Sequence, residues 1–248
     1  MKKSIPLNNK HLFIIGVQRC GTTSILNYLK KYKIIISTKP EKPEPKYFLK
    51  NNINYDEYLN KFFKKNFITK KILVDKSTSY IESKKAALNI KKYIKNTKIL
   101  ILLRNPADRC ISNYLLSKKN GYENFNLSKA LKLEKGRIYN KLKTSVSPYK
   151  YFERGVYWKY LDMWFKVFEK KNIKILVLEN LIKDKVKELS SLCKFLGIKY
   201  KKELKFEKKN YLDQNKYLKY RIQLQVRYKK INSILIKKYK LDLVNWLN

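Results

Sequence analysis

Short aliphatic runs alternate along the chain with longer segments in which apolar residues recur at helical spacing. The runs predict buried strands, and they lie at Leu12–Val17, Ile72–Asp75, Lys98–Leu103 and Ile173–Leu178. The periodic segments predict helices at 22–31, 55–63, 84–95, 187–196 and 230–239, one that begins at Pro106, and an aromatic helical stripe over Tyr157–Phe168. Strands and helices that alternate in this way predict an α/β fold, with a mostly parallel central sheet flanked by helices.

No internal repeat, long linker or composition break divides the sequence, so residues 1–248 are expected to form a single domain. In a parallel sheet, ligands bind outside the carboxyl ends of the strands. Four loops are therefore the places to look for a site: those after Val17, Asp75, Leu103 and Leu178. Another candidate is the segment 39–45, which carries three prolines and is expected to be an extended loop.

The amino-acid composition adds one feature to this picture, a large positive charge. The chain has 248 residues, of which 44% are hydrophobic, enough for a proper core. Lys and Arg number 59 against 19 Asp and Glu, which gives a formal charge of +40 and is typical of proteins with anionic partners. The lysines are nevertheless spread along the whole chain beside many Asn, Ile and Tyr, as codon bias would produce. We expect no specific nucleic-acid partner.

The cysteines and the aliphatic runs exclude other classes. The three cysteines lie far apart, without the spacing of a metal site, and are expected to be reduced thiols: Cys20, Cys110 and Cys193. The longest aliphatic run, Ile99–Leu103, is too short to span a bilayer, and Met1–Lys10 lacks the apolar segment of a secretory signal. The sequence thus predicts a cytoplasmic protein with no transmembrane segment and no metal. It carries no signal of oligomeric state.

The first strand leads into the most informative motif. Gly16 is followed by four residues, then Gly21, Thr22 and Thr23, which is the spacing of a phosphate-cradling loop between a strand and a helix. Backbone N–H groups of such a loop, and the helix N-terminus, point at an anion. Thr22 stands where nucleoside-triphosphate hydrolases have lysine, and the cation lies inside the loop at Arg19. A phosphate-like group other than a triphosphate is expected here.

A second anion site is expected after Leu103. Arg104 leaves the strand end and Ser112 lies two turns into the next helix, so an arginine fork and a hydroxyl donor can grip one phosphate. Two sites along one edge of a sheet predict a ligand with separate anionic ends. Arg19 and the first loop would hold one end, and Arg104 with Ser112 the other.

Together these motifs resemble those of the PAPS-dependent sulfotransferases, which use 3′-phosphoadenosine 5′-phosphosulfate as sulfuryl donor. Residues 13–24 look like that family's 5′-phosphosulfate motif and residues 103–114 like its 3′-phosphate motif. Further segments follow in the family's order, and the resemblance covers nearly the whole chain: Pro43–Phe48, Asp75–Tyr80, Arg154–Tyr157, 175–181, 195–198 and a closing stretch that ends at Trp246. The resemblance implies a fold similar to that of P-loop nucleoside-triphosphate hydrolases.

The resemblance also implies roles for individual residues. Glu44 matches the catalytic glutamate and would act as the base, while Arg19 and Lys76 would neutralise charge on the leaving phosphate. A structural salt bridge is the alternative for Lys76. Donor-binding contacts are implied for the loop and helix residues Arg19, Cys20, Gly21, Thr22, Thr23 and Ser24, for Arg104 and Ser112, and for Arg221 near the C-terminus. No metal is needed, since arginine and lysine supply the positive charge.

Three residues depart from the family's usual pattern or bear on the choice of base. Cys20 replaces the usual serine, and is either a reactive thiol of low pKa at a helix N-terminus or a tolerated small residue. Lys46 stands where many members have histidine, and is either a cation near the transferred group or a surface lysine. His11 is the one histidine and precedes the first strand, at the end opposite the loops. We interpret it as a surface or edge residue, so a carboxylate must serve as base.

The function favoured by the sequence is therefore a sulfotransferase that moves a sulfuryl group from PAPS to a hydroxyl, or an amine, of a carbohydrate or glycolipid that can itself be anionic. The product of the donor would be adenosine 3′,5′-bisphosphate. Variable loops at 49–70 and 115–150 are expected to contact the acceptor. Three alternatives stay open at this point: a protein-tyrosine sulfotransferase, a small-molecule kinase with the same loop, and a nucleic-acid binder driven by charge.

Overall fold

The computed structural model describes residues 9–63, 70–142, 144–207, 215–243 and 246. Its strands are β1 (Lys10–Gly16), β2 (Ile35–Ser37), β3 (Ile72–Lys76), β4 (Thr97–Leu103) and β5 (Ile173–Val177). They form one sheet in the order β2-β3-β1-β4-β5, and every neighbouring pair is parallel. The prediction of an α/β fold with a parallel sheet is confirmed.

Helices connect the strands and cover the sheet. They are α1 (Thr22–Leu29), α2 (Tyr55–Phe63), α3 (Lys84–Tyr93), α4 (Pro106–Lys119), α5 (Leu127–Lys132), α6 (Tyr157–Phe165), α7 (Leu178–Lys183), α8 (Lys185–Leu196) and α9 (Leu218–Tyr239). None of the described helices is both long and apolar enough to cross a bilayer.

The burial of two neighbouring strands, β1 and β4, explains why the aliphatic runs in the sequence predicted strands correctly. Residues Leu12–Ile15 of β1 and Ile99–Leu103 of β4 are fully buried. A strand with helices on both faces of its sheet has no polar face, so a continuous apolar run is expected rather than alternation. The same strands carry the first loop and Arg104 at neighbouring carboxyl ends.

Several elements differ from the prediction, and one of them, α5, has only six residues and was not predicted. β2 has only three residues, too few for a periodic signal. β5 ends at Val177 and α7 begins at the next residue, so an apolar run that continues through Leu178 hides the junction. α9 begins at Leu218, twelve residues before the predicted helix 230–239. Its first half exposes Leu218, Ile222 and Val226, which obscures the amphipathic pattern.

A second, smaller apolar cluster lies beside the main core. It joins α4, α5 and α9 to the segment around Tyr149 and Tyr151. Gly155 allows the closest of these approaches, since a Cβ there would lie 2.5 Å from the Tyr228 hydroxyl oxygen. This cluster holds the segment between α5 and α6, which the sequence analysis expected to contact the acceptor, against the helix that follows β4.

Candidate active site

The first loop is shaped by two glycines. Gly16 has φ +149°, and a Cβ at that position would lie 2.9 Å from Ile81 Cγ2 and 3.2 Å from the carbonyl oxygen of Thr78. Gly21 has φ 86° and stands immediately before α1. The Val17 N–H donates to the Leu102 carbonyl at 2.8 Å, which ties the loop to β4. The spacing seen in the sequence therefore produces a tight turn at the carboxyl edge of the sheet.

The N-terminus of α1 is built to receive an anion. Its first turn contains no acidic residue, and Gly21 makes no side-chain cap. The first intrahelical bond runs from the Ile25 N–H to the Gly21 carbonyl, so the N–H groups of Thr22, Thr23 and Ser24 lie before it in the helix. Backbone N–H groups at the start of a helix and the helix dipole together favour negative charge at this point.

The two expected anion sites lie closer together than the sequence analysis assumed. The Arg19 Nε–H donates to Ser112 Oγ at 3.0 Å, and an Arg104 guanidinium N–H donates to the Arg19 carbonyl at 3.4 Å. Arg19, which was assigned to one end of the ligand, thus reaches the serine assigned to the other. The residue adopts φ 73°, and its side chain extends from the first loop to α4.

Arg104 is fixed by its surroundings. It is 7% exposed, and its carbonyl accepts the Tyr157 hydroxyl at 2.8 Å. The next residue, Asn105, caps α4 by accepting the Ala107 N–H, and its own N–H donates to Glu179 at 2.9 Å. Glu179 also accepts the Trp246 indole N–H at 3.1 Å. The closing stretch of the chain is therefore tied to the start of α4.

Arg221 lies on α9 and pairs with Asp108 of α4, with 2.5 Å between Arg221 Nε and Asp108 Oδ1. Asp108 and Ser112 are four residues apart, so they share one face of α4. The structure thus brings Arg221 to the same helix face as Ser112, with its guanidinium engaged by a carboxylate.

Glu44 and Lys76 meet at the end of β3. Their carboxylate and ammonium groups are 2.5 Å apart, and the two side chains are only 18% and 8% exposed. The second Glu44 oxygen accepts the Thr78 N–H at 2.8 Å and the Thr78 hydroxyl at 2.9 Å. The ion pair proposed as an alternative for Lys76 is present, and it joins the two residues expected to act in catalysis.

Residues 9–243 match the model of the sulfotransferase domain family. The chain belongs to that family. Curated relatives include heparan sulfate glucosamine 3-O-sulfotransferase 3B1 from Homo sapiens, which is 29% identical over 190 residues, 75% of this chain and 45% of that protein. Heparan sulfate glucosamine 3-O-sulfotransferase 5 from Mus musculus is 28% identical over 187 residues, 75% of this chain and 52% of that protein. The chain spans about half the length of these relatives.

Solved structures of sulfotransferases show the same fold. A sulfotransferase from Alicyclobacillus acidocaldarius superposes with a TM-score of 0.77 at 21% identity, over 97% of this chain and 99% of that one. Mouse sulfotransferase SULT7A1 complexed with PAP gives a TM-score of 0.52 at 18% identity, over 79% of this chain and 60% of that one.

In this sulfotransferase domain Cys20 is packed in the interior rather than exposed as a thiol. The side chain is fully buried, with the Tyr157 hydroxyl 3.9 Å from Sγ. Burial raises the pKa of the thiol to about 12. The burial and the raised pKa favour a tolerated small residue over a low-pKa nucleophile at this position.

His11 is also placed differently from its prediction as a surface or edge residue. It lies in β1, is 1% exposed, and shares a 2.9 Å hydrogen bond with the Tyr55 hydroxyl among aromatic rings. Burial lowers its pKa to about 4, so the ring is neutral. Its position at the amino end of β1 agrees with the sequence analysis and keeps it away from the loops.

Two polar residues with no predicted role support the site. Ser77 donates to Asp75 at 2.7 Å and accepts the Lys46 N–H at 3.0 Å, so the strand end holds the loop that carries Glu44. Asp75 also accepts the hydroxyls of Tyr58 and Tyr80, each at 3.2 Å. Burial nevertheless raises the pKa of Asp75 to about 6.

Arg154 connects the first loop to α4 and to the segment before α6, a role that its place in a recognisable motif did not reveal. Its guanidinium is buried and donates to Glu82 at 2.6 Å, to the Gln18 side chain at 3.1 Å and to Asn113 at 3.0 Å. A fourth bond, of 2.7 Å, reaches the Ser147 carbonyl. One side chain thereby fixes the first loop, α4 and the segment before α6 relative to one another.

A cavity of about 280 Å³ opens at the carboxyl end of β3, next to the turn that holds Glu44. Thr78, which binds Glu44, is in its wall, together with Gln18, Lys46 and Asn113. Hydroxyl and amide groups line most of the rest, and Lys46 is the one charged residue among those that line it. In the part of the chain that the structure describes, no three His, Cys, Asp or Glu side chains cluster in a way that could hold a metal ion.

Proposed function

We propose that this sulfotransferase transfers a sulfuryl group from PAPS to a hydroxyl, or an amine, of a carbohydrate, with Glu44 as the base. One observation carries the proposal. The helix N-terminus of α1, Arg19, Ser112 and Arg104 form a continuous run of cationic and hydrogen-bonding groups, and Lys76 with Glu44 lies at the end of the adjacent strand.

The donor set fits a nucleotide with two anionic ends. The N–H groups at the start of α1, with the hydroxyls of Thr22, Thr23 and Ser24, suit the phosphosulfate. Arg104 and Ser112 suit the 3′-phosphate, with Arg19 between them. Arg221 reaches from α9 to the face of α4 that carries Asp108 and Ser112, and would contribute its charge there, whereas Cys20 would contribute only through its backbone. PAPS supplies an activated sulfuryl group when bound.

Individual residues of the chain would then have different roles in the transfer. Glu44 would take the proton of the attacking hydroxyl, and Thr78 would keep its carboxylate oriented. Lys76 and Arg19 would offset negative charge that builds on the departing phosphate. Because sulfuryl transfer needs in-line positioning and charge stabilisation rather than covalent chemistry by the protein, a rigid base beside a cationic loop is a sufficient apparatus.

A carbohydrate acceptor is supported by two observations. The curated relatives named above are heparan sulfate glucosamine 3-O-sulfotransferases, and the cavity at Thr78 is lined mostly by hydroxyl and amide groups, which match the hydroxyls of a sugar. The kinase alternative is disfavoured. Asp75, the strand-end carboxylate that would hold magnesium, is fully buried and already accepts three hydrogen bonds.

Titration with adenosine 3′,5′-bisphosphate tests the donor assignment. Arg19→Ala and Arg104→Ala should each weaken binding by at least about 30-fold, since each removes a charged donor to phosphate. Lys194→Ala, which removes an exposed lysine of α8, is the matched control and should bind like the parent protein. Tight binding of ATP with magnesium, and none of the bisphosphate, would overturn the proposal in favour of a kinase.

A further inference from the structure

The buried carboxylate of Asp75 lies at the carboxyl end of β3. The residue is 1% exposed, so a substrate cannot touch it. Ser77 donates to its Oδ1 at 2.7 Å, and Tyr58 and Tyr80 each donate to its Oδ2 at 3.2 Å. All three donors are neutral hydroxyls. A carboxylate buried among neutral partners costs stability, which points to a role for this acid beyond packing.

Two of these hydroxyls link the carboxylate to backbone N–H groups of the proline-rich loop. The Ser77 hydroxyl that donates to Asp75 also accepts the Lys46 N–H at 3.0 Å. The Tyr80 hydroxyl that donates to Asp75 also accepts the Phe48 N–H at 3.2 Å. A hydroxyl has one hydrogen to donate and lone pairs that accept, so each can make both bonds at once. Asp75 therefore fixes the direction in which both hydroxyls present their lone pairs to the loop.

The same stretch of backbone positions Glu44. Lys46 adopts φ 52°, a conformation that is uncommon for residues with a side chain. Glu44 lies two residues before it, and its carboxylate meets the Thr78 N–H at 2.8 Å and the Lys76 ammonium group at 2.5 Å. If the backbone at Lys46 moved, Glu44 would shift relative to these donors and to the acceptor hydroxyl.

Both links are strongest when Asp75 is ionised. Hydrogen bonds to a carboxylate are stronger than those to a neutral carboxyl group. A protonated carboxyl group would also need an acceptor for its own hydrogen among hydroxyls that all donate to it. Burial raises the pKa of Asp75 to about 6, and the negative charge of Glu44 adds to the shift.

The other titratable and charged groups around Asp75 do not change over this pH range. Burial raises the pKa of Tyr58, on α2, and of Tyr80, in the turn after β3, well above the usual value, so both phenols stay donors. Lys76, the next residue of β3, pairs with Glu44. Asp75 is therefore the group whose titration controls the two links.

We propose that Asp75 is a positioning residue for the sulfuryl transfer. Its ionised carboxylate holds the loop backbone through Ser77 and Tyr80, and this keeps Glu44 where it can take the proton of the acceptor. The inference rests on the proposed function and adds to it a residue that touches no substrate.

Two phenols give a matched test. Tyr58→Phe and Tyr80→Phe each remove a fully buried hydroxyl that lies 3.2 Å from the same oxygen of Asp75. Among the described residues, the Tyr80 hydroxyl also accepts a loop N–H and the Tyr58 hydroxyl does not. The two variants should therefore have similar thermal midpoints, and their activities separate a positioning role from a merely structural one.

The activity is measured with PAPS and heparan sulfate at saturating concentrations. We expect kcat to fall at least about tenfold in Tyr80→Phe, because a small displacement of the base slows the reaction strongly, and to stay within about twofold of the parent in Tyr58→Phe. KM for PAPS should be unchanged in both, since the proposed donor contacts lie elsewhere. Ser77→Ala removes the second link and should lower kcat in the same way. Equal kcat values in Tyr58→Phe and Tyr80→Phe would overturn the proposal.

The pH profile gives an independent readout. In the parent protein kcat should fall as the pH is lowered through about 6, where Asp75 takes up a proton. Asp75→Asn should have a kcat about tenfold lower at pH 7 and no such fall, because the amide does not titrate. A fall near pH 6 that persists in Asp75→Asn would overturn the proposal while the proposed function stands. If the parent protein transfers no sulfuryl group from PAPS to heparan sulfate at any pH, the proposed function fails, and the positioning role with it.

Discussion

The carboxylate of Glu44 accepts three hydrogen bonds, two from Thr78 and one from Lys76. Without them this side chain would be free to move with its loop. That arrangement orients the carboxylate, but it also means that Lys76 serves two anions, Glu44 and the departing phosphate. At the scale of single residues, the proposed chemistry therefore depends on a shared lysine.

Glu44→Gln removes the base while it keeps the size of the side chain. We expect kcat to fall by about 10²–10⁴-fold, which is the usual contribution of a positioned base. Affinity for adenosine 3′,5′-bisphosphate should stay within about twofold, since Glu44 is not among the proposed phosphate contacts. Glu41→Gln, in the same proline-rich segment, is the control and should retain activity. Transfer that survives in Glu44→Gln would show that another group accepts the proton.

Asp75 predicts a dependence of stability on pH. Burial raises its pKa from 3.8 to about 6, so the folded state binds a proton more tightly than the unfolded chain. The favourable contribution is full below pH 3.8 and is lost as the pH rises through about 6. The Asp75→Asn variant has no carboxyl group at this position, so it does not lose stability in this way as the pH rises. Its free energy of unfolding, relative to the parent, should rise by on the order of 2 kcal/mol between about pH 4 and about pH 7.

Urea unfolding of both proteins at the two pH values measures this difference. Using the difference between parent and variant removes the titration of the other acids, which both proteins share. A gap between the two proteins that stays constant with pH would show that Asp75 does not change its proton affinity on folding.

At the scale of elements, the junction between β1 and the first loop is the most tightly constrained. Gly16→Ala would place a Cβ against Ile81 and force φ +149° on a side-chain-bearing residue. We expect a loss of about 2–4 kcal/mol in the free energy of unfolding. Gly136→Ala has φ +79° but meets nothing within 4 Å, so it should cost only about 1 kcal/mol of backbone strain. Equal losses, by thermal or urea unfolding, would contradict the role of close approach.

The sequence predicted the elements that bury a continuous or periodic apolar pattern. β1, β4, α1 and the start of α4 are where the pattern placed them, because a Gly-rich turn and a helix-starting proline mark their ends. β2 and the first half of α9 were missed, since one is too short and the other exposes apolar residues. Neither secondary-structure propensity nor hydrophobic periodicity along the sequence reveals such cases, which depend on tertiary packing.

Residues of the candidate site could be predicted where a sequence motif marks them. Contacts that depend on tertiary packing could not be predicted. Arg19, Arg104, Ser112, Glu44 and Lys76 were found from motif and resemblance, and the structure brings them to one edge of the sheet. The contact between Arg19 and Ser112 was not found, because it depends on how the loop folds back towards α4. Burial of Cys20 and His11 likewise depends on neighbours distant in sequence, such as Tyr157 and Tyr55.

The whole molecule carries a charge of +40, which opposes its own compact state. Raising NaCl from about 20 mM to about 300 mM should therefore raise the thermal midpoint, by about 3–6 °C, as salt screens repulsion between lysines. Differential scanning calorimetry checks this. A midpoint that falls with salt would mean that surface ion pairs outweigh the repulsion.

Arg154 links two parts of the candidate site that are far apart in the sequence. Its guanidinium bonds both to the side chain of Gln18, in the first loop, and to the carbonyl of Ser147, before α6. If the two proposed ligands bind on opposite sides of Arg154, any effect of one on the affinity of the other that passes through this side chain must be equal in both directions, by thermodynamic reciprocity.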